Sequence, residues 1–349
     1  MFVCLFSIGA FAQTYSNAQK QAEEAYNNNQ YDKAVEYANK ALHIVEKDSG
    51  NNSLIYAELL SDLGFYYFYN NEQEKSFSSL ISACNMIKNK VGNTHSTYLN
   101  AYNKLGSAYY LNGEYHKSKD IFKEVVAIEA NNKVDQVEYA HHLNMLALCQ
   151  TELYEFSEAE LNFKKCLMMF SENKLEKTSD YGLLLNSLAN LYQNQNLYTK
   201  AEQYYLDASE LLATIEGKKS SDYALTLTNL GNLYNDMLNY EKALKYFTEV
   251  LELKKDLFGE ESAEYGMALN DMGAVTQNKG DLLNSELYYN KAIAVKKNAV
   301  GEQHPSYIKS LNGLMTLYIT LDKKEPALDL SAKILMFIPS SCRIVPPLR

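Results

Sequence analysis

Between residues 220 and 250, apolar and small side chains recur at helical spacing: Leu227, Leu230, Gly231 and Tyr234, then Ala243, Phe247 and Val250. That spacing lines one face of an α-helix, so the stretch predicts two amphipathic helices in succession. The segment NDMLN, residues 235–239, joins them. The first helix is written twice. Residues 178–192 read TSDYGLLLNSLANLY, and residues 220–234, 42 positions on, read SSDYALTLTNLGNLY.

Three columns carry this register along the chain, the mark of a repeat architecture. The place of Gly231 is filled in turn by Ala22, Gly64, Gly106, Ala147, Ala189, Gly231, Gly273 and Met315, at steps of 42 with one of 41. Twelve residues further on stand Ala34, Ser76, Ser118, Ala159, Ala201, Ala243, Ser285 and Ala327. Seven beyond those come Ala41, Ala83, Val125, Cys166, Ala208, Val250, Ala292 and Ile334. Eight helix hairpins follow from the count. Small residues at fixed places let two helix backbones approach, and large ones such as Tyr234 and Phe247 fill the space between turns. The counterparts of NDMLN, namely QNQNL, YLNGE, QNKGD and YNNNQ, are rich in Asn and Gly, which tolerate the left-handed conformation that ends a helix.

The joints between hairpins are equally regular. Gly50, Gly92, Gly217, Gly259 and Gly301 each lie three residues before an expected helix cap. The expected caps are Ser53, His95, Gln136, Thr178, Ser220, Ser262 and His304, of which the Ser and Thr are strong and the His and Gln weaker. Three residues after each cap sits a tyrosine: Tyr56, Tyr98, Tyr139, Tyr181, Tyr223, Tyr265 and Tyr307. These rings are expected to pack on the preceding hairpin.

The columns, written L..LG.LY....Y.KA...F..., resemble the tetratricopeptide repeat. The 42-residue period and the phrases GEQHPSY and LNSLANLY are similar to the longer variety of kinesin light chains and of many bacterial proteins. The likeness spans residues 13–338, with an irregular tail at 339–349. It implies an all-α fold, a right-handed superhelical solenoid of about eight hairpins whose first helices line a concave groove. Such an array buries its core between neighbours, so the length needs no second domain.

Composition sharpens the picture. Only 5 prolines and 15 glycines interrupt a chain that is 46% hydrophobic, which suits long helices. The net charge of −10 argues against nucleic acid, which calls for a basic surface. Residues 1–12, MFVCLFSIGAFA, form an uncharged apolar run too short to span a membrane, and Ala10-Phe11-Ala12 resembles an export cleavage site. The basic residues that usually precede such a run are missing, so a buried helix remains the other reading. The expected location is periplasmic or secreted, with the cytoplasm as the alternative. No other segment is long and apolar enough to cross a bilayer.

Motifs of catalysis are missing: there is no G-x-S-x-G, no H-E-x-x-H, no phosphate-cradling glycine loop and no Cys-x-x-Cys. His141 and His142 are adjacent, so on a helix they point about 100° apart and do not share a metal in the usual way. No metal, no cofactor and no enzymatic activity are expected. Cys84, Cys149 and Cys166 fall on or beside core columns and are expected to be buried free thiols.

Function then falls to a surface. One place after the Leu227 column stand Ser61, Asn103, Asn144, Asn186, Thr228, Asn270 and Asn312, expected to lie off the buried stripe. Asn190, Gln193, Asn232, Asn235 and Gln277 continue that face. Each amide offers donors and an acceptor, and a ladder of them can hold an extended peptide backbone. Similar asparagines contact peptides in the family the chain resembles. The other reading is that these side chains bond neighbouring helices or water. Phe65, Phe68 and Tyr110 form a candidate aromatic anchor, or pack against the amino-terminal helix. The partner is expected to be a protein or peptide, bound by a non-enzymatic scaffold. The apolar, proline-containing end ILMFIPSSCRIVPPLR is a poor cap for such an array and leaves a second reading, the regulatory arm of a longer signalling or peptidase protein.

Overall fold

The structure is a computed structural model that describes residues 2–130 and 136–337, with side chains from Tyr15 onward. Cys342 and the expected tail lie outside the described residues, as do the side chains of the expected export signal. The described residues form sixteen α-helices and no strand. They fall into two compact units that divide between Asn173 and Lys174.

The first unit holds four hairpins: α1 (Phe2–Asn27) with α2 (Tyr31–Ser49), α3 (Leu54–Tyr69) with α4 (Gln73–Val91), α5 (Ser96–Leu111) with α6 (Tyr115–Ala130), and α7 (Gln136–Glu152) with α8 (Phe156–Glu172). The second holds four more: α9 (Ser179–Asn194) with α10 (Tyr198–Ile215), α11 (Ser221–Asp236) with α12 (Tyr240–Phe258), α13 (Ala263–Lys279) with α14 (Leu282–Val300), and α15 (Pro305–Thr320) with α16 (Lys324–Phe337). Within each unit the second helix of a hairpin packs on the first helix of the next, and successive first helices also touch.

The three small-residue columns are the seams of this packing. Every member of the Ala/Ser column is buried, Ala327 being the most exposed at 7%. At the glycines of the Gly/Ala column the large partner closes the space a Cβ would take. A Cβ on Gly231 would lie 2.8 Å from the Phe247 ring, and one on Gly273 would lie 2.9 Å from the Tyr289 ring. The large partner stands sixteen residues after the small one, as Phe122, Phe163, Tyr205, Phe247 and Tyr289, all buried. Hydroxyls in the seam are used locally: Ser118 donates to the Gly106 carbonyl and Ser285 to the Gly273 carbonyl, each at 2.8 Å.

Each hairpin turns through one left-handed residue. Asn29, Asn71, Gly113, Tyr154, Asn196, Leu238, Gly280 and Asp322 all take positive φ in the same register. Leu238, φ 59°, and Tyr154, φ 61°, are poor residues for that conformation, and both are largely exposed. Here the packing of the two helices dictates the turn. A left-handed residue other than glycine costs about 1–2 kcal/mol, offset in part by the greater freedom glycine loses on folding. Leu238→Gly should therefore raise stability by about 0.5–1 kcal/mol in urea unfolding; a loss of stability would show that the Leu238 side chain packs.

Six of the seven expected caps close their helices. Ser53, Thr178, Ser220 and Ser262 accept from the backbone N–H three residues on, whereas His95 and His304 accept from the N–H two residues on. Gln136 corrects the expectation: it is the first residue of α7 rather than its cap. Its long side chain lacks the short reach with which Ser and Thr bond their own first turn.

Tyrosines of the column pack on the preceding second helix in the first unit and bond to their own hairpin in the second. Tyr98 packs with Leu80, Cys84 and Ile87 of α4, as expected, and Tyr56 with Ala41 and Val45 of α2. Tyr223 also donates to Glu249 on its own hairpin, and Lys333 donates to the Tyr307 hydroxyl. Burial pushes the Tyr98, Tyr223 and Tyr289 phenols up to about 12, and raises Tyr26, Tyr66, Tyr102, Tyr110, Tyr205 and Tyr234 as well. A phenol raised in the folded state leaves the unfolded chain to lose its proton first, near pH 10. Stability is then intact below about pH 10 and falls as pH rises towards 12, with many groups acting together. Circular dichroism between pH 8 and 12 should show cooperative loss of helix above about pH 10; full helicity at pH 12 would contradict these burials.

Candidate functional site

The candidate surface is built on the first helices. The repeat sets one residue of each, from Ser61 to Asn312, beside the buried stripe, and the structure divides that column. Asn312 is exposed, and Asn103, Asn144 and Thr228 are half-buried. Asn186 and Asn270, at 5% and 6% exposure, and Ser61 are buried. The expectation that the column stands off the core is corrected at those three positions. Neighbouring first helices within a unit lie side by side and cover them.

Several amides bond neighbouring helices, the other reading of the sequence. Asn186 donates to the Thr226 hydroxyl at 2.5 Å and accepts from Asn229 at 3.3 Å, both on the next first helix. Gln193 donates to Asp236 at 2.6 Å and accepts the Tyr205 hydroxyl at 3.1 Å. Asn235 accepts from Asn278, and Gln277 accepts the Tyr289 hydroxyl. In the first unit the same lacing is ionic: Lys104 pairs with Asp62, which also accepts from Gln19. The Oδ1 atoms of Asn103, Asn144 and Asn270 are buried with no hydrogen-bond partner among the described residues. Asn190, half-buried, accepts from Asn194 at 3.1 Å. Asn232 is exposed on α11. Of the second-unit amides, Asn232 and Asn312 are exposed, and Asn190, Gln193, Asn235 and Gln277 are half-exposed.

The aromatic candidates Phe65, Phe68 and Tyr110 are each half-buried. Phe65 packs on Tyr26 of α1 and on Tyr69, with ring centroids 5.9 and 5.2 Å apart, so it takes the option of packing against the amino-terminal helix. Phe68 meets Tyr69 and Phe77. Tyr110 stands with Tyr115, 5.4 Å away.

Two features were not legible in the sequence. In the first unit, buried His142 lies against buried Glu129, with Glu138 close by. In the second, fully buried Lys296 donates to the Ser306 carbonyl at 3.0 Å and to the Ser310 hydroxyl at 2.8 Å. Burial pulls its ammonium down to about 8, against the opposing charge of Asp271. Neither pair shows in a search for linear motifs, because each joins residues of two helices.

Cys84, Cys149 and Cys166 are free and buried, as expected. Burial raises their thiols to about 12, 11 and 12. They are structural groups, with no thiolate character at neutral pH. Among the described residues no helix is long and apolar enough to cross a membrane. A hollow of about 540 Å³ on the last hairpin is lined by Met315, Ile319, Ala327 and Leu328 among others.

Helix hairpins with this internal register define a tetratricopeptide-type helical repeat fold. Tetratricopeptide-repeat models match residues 180–256 and residues 99–132. No curated protein matches the chain. Among solved structures, the apo form of RapI is similar at a TM-score of 0.61 and 14% identity, over 82% of this chain and 98% of that one. NprR in complex with its cognate peptide NprX is similar at 0.55 and 18%, over 80% and 79%. BtubC (BKLC) from P. vanneervenii is similar at 0.52 and 19%, over 65% and 91%. At these identities the likeness is one of fold.

Proposed function

We propose that the chain is a non-enzymatic protein-interaction scaffold that holds an extended partner segment against the first-helix face of its second unit. The observation that carries this reading is the run of accessible uncharged amides at Asn190, Asn232, Asn235, Gln277 and Asn312. A face that only meets water more often carries Lys and Glu. Amides offer a peptide backbone both donors and acceptors whatever its side chains are. A protein of similar fold, NprR, is solved with a bound peptide, which supports the reading.

The buried amides belong to the scaffold, so the test avoids Asn186 and Asn270. Asn232, Asn235 and Asn312 are replaced together by Ala. Each hydrogen bond is worth about 0.5–1.5 kcal/mol net, so no single residue dominates and the triple variant should bind a captured partner about 10-fold or more weakly. Circular dichroism should show unchanged helicity. Parent-like affinity in the titration would rule this face out.

A further inference from the structure

The sharpest departure from the repeat lies where the third hairpin meets the fourth. The position filled by Val45, Ile87, Phe170 and Leu212, all buried, and by Lys254 and Lys296 in the sixth and seventh hairpins, is Glu129 on α6. The position filled by Leu59, Ala101, Leu184, Thr226, Ala268 and Ser310 is His142 on α7. Both side chains are fully enclosed, and the His142 Nδ1 lies 2.9 and 3.0 Å from the two Glu129 carboxylate oxygens. Burying a carboxylate against an imidazole carries a desolvation cost that the apolar pairs Val45 with Leu59 and Ile87 with Ala101, at the other joints of the first unit, avoid.

A third group reaches the same point. Glu138 precedes His142 by one turn of α7, and one ligand atom from each of Glu129, Glu138 and His142 lies within 4.8 Å of the others. Glu138 is exposed, so the cluster opens to solvent at that end. The second unit supplies a contrast. Where its seventh hairpin meets the eighth, the corresponding pair is Lys296 and Ser310, closed by hydrogen bonds within the protein. An ammonium cannot ligate a cation, and the two Lys296 bonds complete that site without one.

The geometry points to a divalent-metal site formed by Glu129, Glu138 and His142, with Zn²⁺ the best-fitting ion. One imidazole nitrogen and two carboxylate oxygens match a three-ligand zinc site whose fourth position is left for water. Ligands at about 2.0–2.2 Å from zinc in tetrahedral array stand roughly 3.4 Å apart. The His142–Glu129 contact therefore has to open by only a few tenths of an ångström. The imidazole favours Zn²⁺ over Mg²⁺ or Ca²⁺, which take all-oxygen sites. Bound there, the ion would clamp α6 to α7 and neutralise the buried carboxylate.

The test uses the full chain, stripped with a chelator and titrated with ZnCl₂ by calorimetry and by thermal melting. One ion per chain should bind saturably, with micromolar or tighter Kd, and raise the melting temperature. Co²⁺ in place of zinc should give the visible absorption of a tetrahedral nitrogen–oxygen site. His142→Ala strands a buried carboxylate and destabilises the chain, so Glu138→Gln carries the decision. That exposed variant should melt like the parent without metal and bind Zn²⁺ at least 10-fold more weakly. Absence of saturable binding, or parent affinity in Glu138→Gln, overturns the site.

Discussion

Truncating Phe247 to Ala is expected to destabilise the second unit by about 3–5 kcal/mol, the usual cost of removing a buried aromatic ring from a close-packed interior. The ring is 3% exposed and lies on Gly231, the residue whose missing Cβ makes room for it. Ala243 and Val250, one turn to either side on α12, are fully buried, so the backbone there has little scope to collapse into the cavity. Repeat proteins share stability mainly between neighbours, so the loss should appear first in the hairpins that flank α11 and α12. Urea unfolding by circular dichroism measures it. A loss under about 1 kcal/mol would mean that Phe247 does not fill the seam and that the register is wrong.

The second large effect concerns the buried pair. In chelator, His142→Ala should cost about 3–5 kcal/mol, because it leaves the Glu129 carboxylate enclosed without its partner. Removing both polar side chains should be far milder. The double variant Glu129→Leu, His142→Ala restores the apolar residue that Ile87 and Leu212 supply at the same position. It is expected to be more stable than His142→Ala alone, since it removes the buried carboxylate that the single variant leaves without a partner. Equal stability of the single and double variants would show that Glu129 was never dependent on His142.

What the sequence revealed and what it concealed follow from one distinction. Contacts inside a hairpin repeat with the chain, so Gly231 facing Phe247, and Gly273 facing Tyr289, leave regular columns that can be read directly. Capping is local too, which is why Ser53, Thr178, Ser220 and Ser262 were legible, while Gln136 failed through its own chemistry. Contacts between hairpins depend on how first helices lie beside each other. A single-helix spacing placed Asn186 on a free face, but Thr226 and Asn229 of the next hairpin cover it. Leu238 was not legible as a left-handed residue, because two packed helices impose that turn on whatever residue falls there. Glu129 and His142 stand 13 residues apart on different helices, so adjacency of His141 and His142 was the wrong place to look for chemistry.

The claim that the first-helix face of the second unit receives a partner can be tested at single residues. A photo-cross-linking residue is placed in turn at Asn232 on α11, at Asn312 on α15 and at Lys245 on the second helix α12, all exposed positions. With a captured partner present, light should join the partner to the chain from positions 232 and 312 and leave the position-245 variant uncoupled. Coupling from 245 alone, with none from 232 or 312, would contradict the account.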